Sequence, residues 1–349
     1  MNTFLDLDAS QRRSAIAIAA ENRSLTPMSI EKDYMVCSAL KVLFTLPNAT
    51  KFITFKGGTS LSKAYGLIER FSEDVDLVVD RELIGADPEP AHLGRLSRSA
   101  KSKYVRAVQH SLEYWIKNFA LQHFSNAPLL SDGQPLWRCR IDDAAQHRDI
   151  LLLEYDSVLD GPAPDYIRPS VKLEFGARAD RWPAQTCSVQ SYLGERFPES
   201  IQEPPVSVVA LCPERTFLEK LCLVHEEVTR GATSTPRSAQ SRHFYDLYCL
   251  IGAGVGKRAV DDVELFDRVV QHRETFYYRP GVDYDSMRSR LFSLVPHGNH
   301  MALWKQDYDQ LKENMLFGNP PVFDDIIACI QRFTSDTLQL IQSPSPLRY

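Results

Sequence analysis

An α+β fold followed by an α-helical C-terminal domain is what this sequence predicts, and two patterns carry the prediction. Strand-like apolar runs, mixed with helical segments, fall between residues 52 and 193, whereas from Pro213 onward the apolar spacing is helical. At 349 residues the chain is long for one domain, so a division is expected near residue 205, with 1–205 before it and 206–349 after it.

Each element has its own signal. Residues 8–22 and 30–44 read as helices, the second capped by Ser29 behind the breaker Pro27. "FITF" is a short strand that ends at Gly57-Gly58, residues 59–68 suit a helix, and "VDLVV" suits a buried strand. A Pro/Gly-bearing loop covers residues 84–94. Val105, Val108, Leu112, Trp115 and Phe119 then recur three or four residues apart, the mark of an amphipathic helix. Four strand-like runs follow, "LWRCRID", "ILLLEYDSV", "SVKLEFGA" and "TCSVQSYL", and their alternation suggests an antiparallel extension of the sheet. Beyond them, "PERTFLEKLCLVHEEV", "RHFYDLYCLIG", a run near 260–275, "WKQDYDQLKENML" and "PVFDDIIACIQRFTSDTLQLI" read as helices, with a Gly/Ser/Thr/Pro loop at 231–240.

Composition narrows the function classes. Hydrophobic residues make up 44% of the chain and charged residues 24%, as in an ordered globular protein. The seven cysteines are scattered and form no C-x-x-C pair, which argues against a disulfide framework and against a zinc site. No apolar run reaches the roughly 20 residues of a membrane span and no signal peptide opens the chain, so a cytoplasmic protein without a membrane partner is expected. The net charge of -5 gives no global pull toward nucleic acid, but Arg95, Arg98, Lys101, Lys103 and Arg106 form a local basic run. That run reads equally as a solvated helix start.

The chemistry concentrates in "FKGGTSLSKAYGLIERFSEDVDLVVD", residues 55–80. Side chains alternate along a strand, so Asp74 and Asp76 project from one face, and two carboxylates so close are stable with a divalent cation between them. Oxygen-only ligands favour Mg²⁺ or Mn²⁺. Gly57 and Gly58 permit a tight turn, and Thr59 or Ser60 opens a helix whose free N–H groups attract a phosphate. Lys63, one turn in, leans back toward that anion. A ten-residue helix would run about 15 Å from the turn, and five extended residues return about 16 Å, which lands Asp74 beside Gly58. Alone, a glycine pair is a turn and an Asp-x-Asp a solvated strand edge. Their order of strand, glycine pair, helix, Asp-x-Asp and apolar strand is far more specific.

This order resembles the DNA polymerase β-like nucleotidyltransferase superfamily. More narrowly, "KGGTSLSKAYGLIERFSEDVDL" looks like the first motif of the AbiEii/AbiGii nucleotidyltransferase toxins of bacterial toxin–antitoxin and phage-defence systems, which include the MenT toxins. The resemblance implies a third carboxylate on a later strand: "VKLEF" supplies Glu174, with Glu154 of "LLEYD" as its rival. It also implies roles in activity for Lys220 of "PERTFLEKL" and Asp246 of "RHFYDLYCL", although Cys249 stands near where the family shows a second aspartate. Without the family, Lys220 would be a solvated helix lysine, Asp246 a carboxylate offsetting a helix dipole, Glu174 a partner of Lys172 or Arg178, and His243 a structural histidine.

The expected activity is a Mg²⁺-dependent transfer of a nucleoside monophosphate from an NTP to an acceptor. Asp74, Asp76 and Glu174 are the expected metal ligands, and Gly57, Gly58, Thr59, Ser60, Lys63 and Lys220 the nucleotide-binding residues. The resemblance implies a tRNA 3′ end as acceptor, inhibition of translation and growth, and a cognate antitoxin as partner. A monomer is compatible with the sequence. Nucleotidylation of a protein or small molecule, and a non-catalytic nucleotide-binding module, are the competing readings.

Overall fold

A computed structural model describes residues 3–338 except 73, 88–92, 127–129, 131–132, 144–148, 161–167, 231–238 and 299. Most of the expected loop at 231–240 thus lies outside the described residues. The chain divides into two compact units. The first comprises Met1–Gly66, Phe71–Ala91 and Ser97–Leu211, and the second comprises Leu67–Arg70, His92–Leu96 and Cys212–Tyr349.

Unit 1 is built on a seven-stranded mixed sheet. Its helices are α1 (Ala9–Arg23), α2 (Pro27–Leu43), α3 (Ala49–Phe52), α4 (Gly57–Lys63), α5 (Arg98–Trp115), α6 (Leu121–Ser125) and α7 (Tyr192–Arg196). Its strands are β1 (Ile53–Lys56), β2 (Asp74–Val79), β3 (Arg138–Ile141), β4 (Ile150–Glu154), β5 (Ser170–Gly176), β6 (Ala184–Val189) and β7 (Val206–Leu211), arranged in the order β3-β4-β5-β2-β1-β7-β6.

The antiparallel extension expected from the four strand-like runs is met by β3, β4 and β5, but β5 lies parallel to β2. The fourth run goes elsewhere. As β6 it pairs with β7 at the opposite edge, and "SYL" has left the strand to open α7 behind the N-cap Ser191. β7 was not foreseen: "VSVVAL" is short and follows a proline pair, yet it pairs in parallel with β1.

Alternation on β2, β4 and β5 sorts the two faces of the sheet. Val75, Leu77, Leu151, Leu153, Val171, Leu173 and Phe175 are 0–2% exposed and belong to one apolar core. Residues of α2 and α5 complete that core, with the Trp115 ring 5.7 Å from Phe175. The other face of the same strands carries charge.

α2 begins earlier than the sequence suggested. Thr26 is the N-cap, accepting from the Ser29 N–H, and Pro27 occupies the first turn, where its missing N–H costs nothing. This helix is buried nearly throughout, including the consecutive residues Glu31, Lys32 and Asp33, which are 1–4% exposed. Burying three charges in a row requires a partner for each. Glu31 accepts from the Ser157 hydroxyl and the Val158 N–H, Lys32 donates to the Arg168 carbonyl, and Asp33 pairs with Lys63 and accepts from the Tyr192 N–H.

Unit 2 is helical, with α8 (Pro213–Arg230), α9 (Arg242–Gly252), α10 (Val255–Asp261), α11 (Val263–Phe276), α12 (Tyr284–Arg288), α13 (His300–Met315) and α14 (Phe323–Phe333). Phe244 packs against Trp304 and Phe323, with ring centroids 5.0 and 5.8 Å away. The stretch Leu67–Arg70 belongs with these helices: Arg70 bridges to Leu316, and the Glu69 N–H donates to the Tyr245 hydroxyl.

Candidate active site

Strand register, more than sequence spacing, assembles the charged face. β2 and β5 run parallel with Asp74 opposite Lys172 and Asp76 opposite Glu174, so all four side chains project from one face of neighbouring strands about 4.8 Å apart. On the other side of β2, Lys56 stands opposite Asp76. Glu154, the rival third carboxylate, lies a strand farther out, opposite Ser170 and ion-paired with Arg140 at 2.8 Å. It is Glu174 that neighbours Asp76.

The glycine turn faces the same cluster. Gly57 has φ +79, and a Cβ there would fall 1.9 Å from Asp76 Oδ2, so only glycine permits both the backbone conformation and the close approach. The expected return of the chain is present: the Thr59 hydroxyl donates to the Asp74 carbonyl oxygen. The helix that makes the return is shorter than the ten residues expected, ending at Lys63.

The other cradle residues are turned inward. Thr59 and Ser60 are 1% and 0% exposed, and the Ser60 hydroxyl donates to the Gly57 carbonyl. Lys63, expected to reach an anion at the start of α4, instead sits 2.7 Å from Asp33 and 3.7 Å above the Tyr192 ring. Burial opposes its charge, but Asp33, by charge and hydrogen bond, together with the charges of Cys37 and Tyr192, outweighs burial and raises its pKa. Asp33 attracts it because both groups are enclosed, at 4–5% exposure, where an unpaired charge would be costly.

The carboxylates do not form a closed ligand set as placed. Among the described residues, no three His, Cys, Asp or Glu side chains are grouped to hold a metal ion. Lys172 forms an ion pair with Glu174. Burial alone would lower the Lys172 pKa; its hydrogen bond to Glu174 and the charges of Asp74, Glu174 and Asp76 raise it instead. The lysine is an internal cation among three carboxylates. The donor chemistry and the register therefore fit a divalent cation held by oxygen ligands.

Lys220 and Asp246 meet inside unit 2. Lys220 Nζ lies 2.7 Å from Asp246 Oδ2, and Arg70 forks onto the same carboxylate at 2.7 and 3.0 Å. Asp246 is fully buried; burial pushes its pKa up, but the two cations override burial and hold it well below the usual carboxylate range. Neighbouring His243 is driven well below the ordinary imidazole value, by burial first and then by Lys220 and Arg242. A neutral, enclosed imidazole fits the structural role.

Family comparison decides the class of the protein. Residues 39–329 match the family described as "Nucleotidyl transferase AbiEii toxin, Type IV TA system". The chain belongs to the AbiEii nucleotidyltransferase toxin family. No curated protein sequence matches it. Among solved structures it is similar to MenT4, a nucleotidyltransferase toxin from Mycobacterium tuberculosis H37Rv, at 16% identity and a TM-score of 0.45, over 95% of this chain and 99% of that one. The AbiEii match covers the glycine turn, both aspartates, Glu174, Lys220 and Asp246.

The pairing of Glu174 with Lys172 was legible in the sequence, since two residues apart on a strand share a face, but other charged partners went unread. Asp33 and Lys32 had a signal, in a charged triplet inside an apolar helix. Arg70 had none, because its partner Asp246 is 176 residues away.

Proposed function

We propose that this family member transfers a nucleoside monophosphate from an NTP to a hydroxyl of an RNA 3′ end, with tRNA as the first acceptor to test. The observation that supports it is the register placing Asp74, Asp76 and Glu174 on one face of adjacent strands with Gly57 against Asp76. Asp74, Asp76 and Glu174 are the proposed holders of Mg²⁺, which when bound would neutralise phosphate charge and acidify the acceptor hydroxyl.

The chain's own residues divide the remaining work. Gly57 and Gly58 let the backbone approach phosphates beside Asp76. Thr59 ties α4 to β2 and Ser60 closes the glycine turn, while Lys63 anchors α4 through Asp33 and so positions the turn rather than gripping the nucleotide itself. Lys172 balances the carboxylates before the metal and nucleotide arrive. Lys220 and Asp246 are proposed to be needed for activity, with Asp246 fixing both Lys220 and Arg70. Membership of a toxin family supports growth arrest on expression and relief by a cognate antitoxin.

The test is labelled NTP with Mg²⁺ and total tRNA. Label is expected in RNA with pyrophosphate released, and both are expected to be lost in Asp74→Ala and Asp76→Ala. Label on protein instead would move the acceptor class, and NTP binding without pyrophosphate release would remove the transferase reading.

A further inference from the structure

A cavity of about 710 Å³ lies over the charged face of unit 1, with Asp74 and Lys172 in its wall. Its remaining charged wall carries the cations Arg138, Arg140, Lys32 and Arg168 and the carboxylates Asp142, Glu154 and Asp156. None of the basic run from Arg95 to Arg106 lines it. We propose that this cavity is the acceptor chamber, in which Arg138 and Arg140 hold the phosphodiester backbone of an RNA whose 3′ hydroxyl lies at Asp74. This rests on the transferase reading above and adds the place, polarity and contacts of the acceptor.

Three observations carry it. First, the two aspartates look to different sides: Asp76 abuts the glycine turn, whereas Asp74 lines the cavity. In transfer, the acceptor oxygen bonds to the α-phosphorus, the bond from that phosphorus to the bridging oxygen breaks, pyrophosphate leaves, and the hydroxyl proton passes to solvent. Attacking and leaving oxygens are roughly in line. A nucleotide seated at the glycine turn therefore leaves the Asp74 side for the acceptor.

Second, the register draws a straight row across the sheet. Asp74 pairs with Lys172, Lys172 with Leu152, and Leu152 with Arg140. Three strand spacings make about 14 Å, which is the length of about four stacked nucleotides at about 3.4 Å a step. Arg138 stands two residues farther along β3 on the same face.

Third, the two arginines of the wall are held by ion pairs that a phosphate can replace. Lys32, 2% exposed, also lines the cavity, and its ammonium donates to the carbonyl of Arg168, another lining residue. Arg138 pairs with Asp156 and Arg140 with Glu154, but the two arginines are 65% and 53% exposed, and ion pairs this open contribute little. A phosphate replaces such a carboxylate at small cost, and a guanidinium binds it through two donors.

The experiment compares wild type with Arg138→Gln/Arg140→Gln, each checked for an unchanged melting temperature. The probe is a fluorescent RNA hairpin with a single-stranded 3′ end, followed by anisotropy over a range of salt, with NTP affinity measured separately by calorimetry. RNA affinity is expected to fall about tenfold or more and the salt slope to drop by about 1.4, two contacts at about 0.7 each, while NTP affinity stays within about twofold. Arg140→Lys with Arg138 intact should recover most of the affinity, because the charge is kept. If wild type labels RNA and the double variant binds and labels it equally well, the chamber is wrong and the transferase reading stands. If wild type transfers the nucleotide to protein and not to RNA, the acceptor reading fails and this assignment fails with it.

Discussion

Gly57 is where a single atom decides most. Placing alanine there forces a left-handed backbone on an L-residue, at about 1–2 kcal/mol, and drives a methyl into the Asp76 carboxylate. Gly57→Ala is expected to melt lower by that amount in urea titration and to lose Mn²⁺ binding, read by paramagnetic resonance. The cysteines offer a second check at this scale. Burial pushes the Cys37 thiol up and that of Cys222 up to about 12, so neither yields thiolate at pH 8. Both should stay unmodified by iodoacetamide in the native protein and react in urea, as mass spectrometry would show. Asp74, Asp76 and the glycines were legible because strand alternation and turn chemistry are local. The direction of Lys63 was not, because its partner Asp33 lies thirty residues earlier and a lysine one turn into a helix has no sequence mark for which way it leans.

Elements were legible wherever their apolar period was clean. β2 and β5 alternate visibly, β4 is an apolar run of strand length, and α8 and α9 keep one apolar stripe, so all five could be read. β7 escaped because six residues of short apolar chain say nothing about a parallel partner 150 residues upstream. The same limit hid the meeting of Arg70 with α9. That contact makes a sharp prediction: Asp246→Ala leaves two cations enclosed without their shared anion and should cost about 3–5 kcal/mol in urea. Because the native pKa of Asp246 is lowered, its contribution is fully present above the unfolded carboxylate value and is lost only as pH falls through the native one. Acid titration of the wild type should therefore show this pairing intact through mildly acidic pH, whereas the Ala variant is weakened at every pH in that range.

At the scale of the whole molecule, the α+β unit and the helical unit each have their own core, and the first one holds the carboxylates. Divalent cation is expected to raise the melting temperature, since a ligand at about 100 times its Kd adds about 2.7 kcal/mol. Asp74→Asn should show no such rise. The loss would appear in calorimetry without any nucleotide present, which separates metal binding from turnover. Among the described residues, no helix is long and apolar enough to cross a membrane. The position of β3 has a separate outcome for how the protein behaves at high concentration. Among the described residues it is one of the two edge strands of the sheet, a place where a strand from another chain can add. Two bulky cations two residues apart on that rim repel a like neighbour, so Arg138 and Arg140 also guard against edge-to-edge stacking. Exchanging both for valine should turn a clear solution turbid in light scattering even where the fold itself survives.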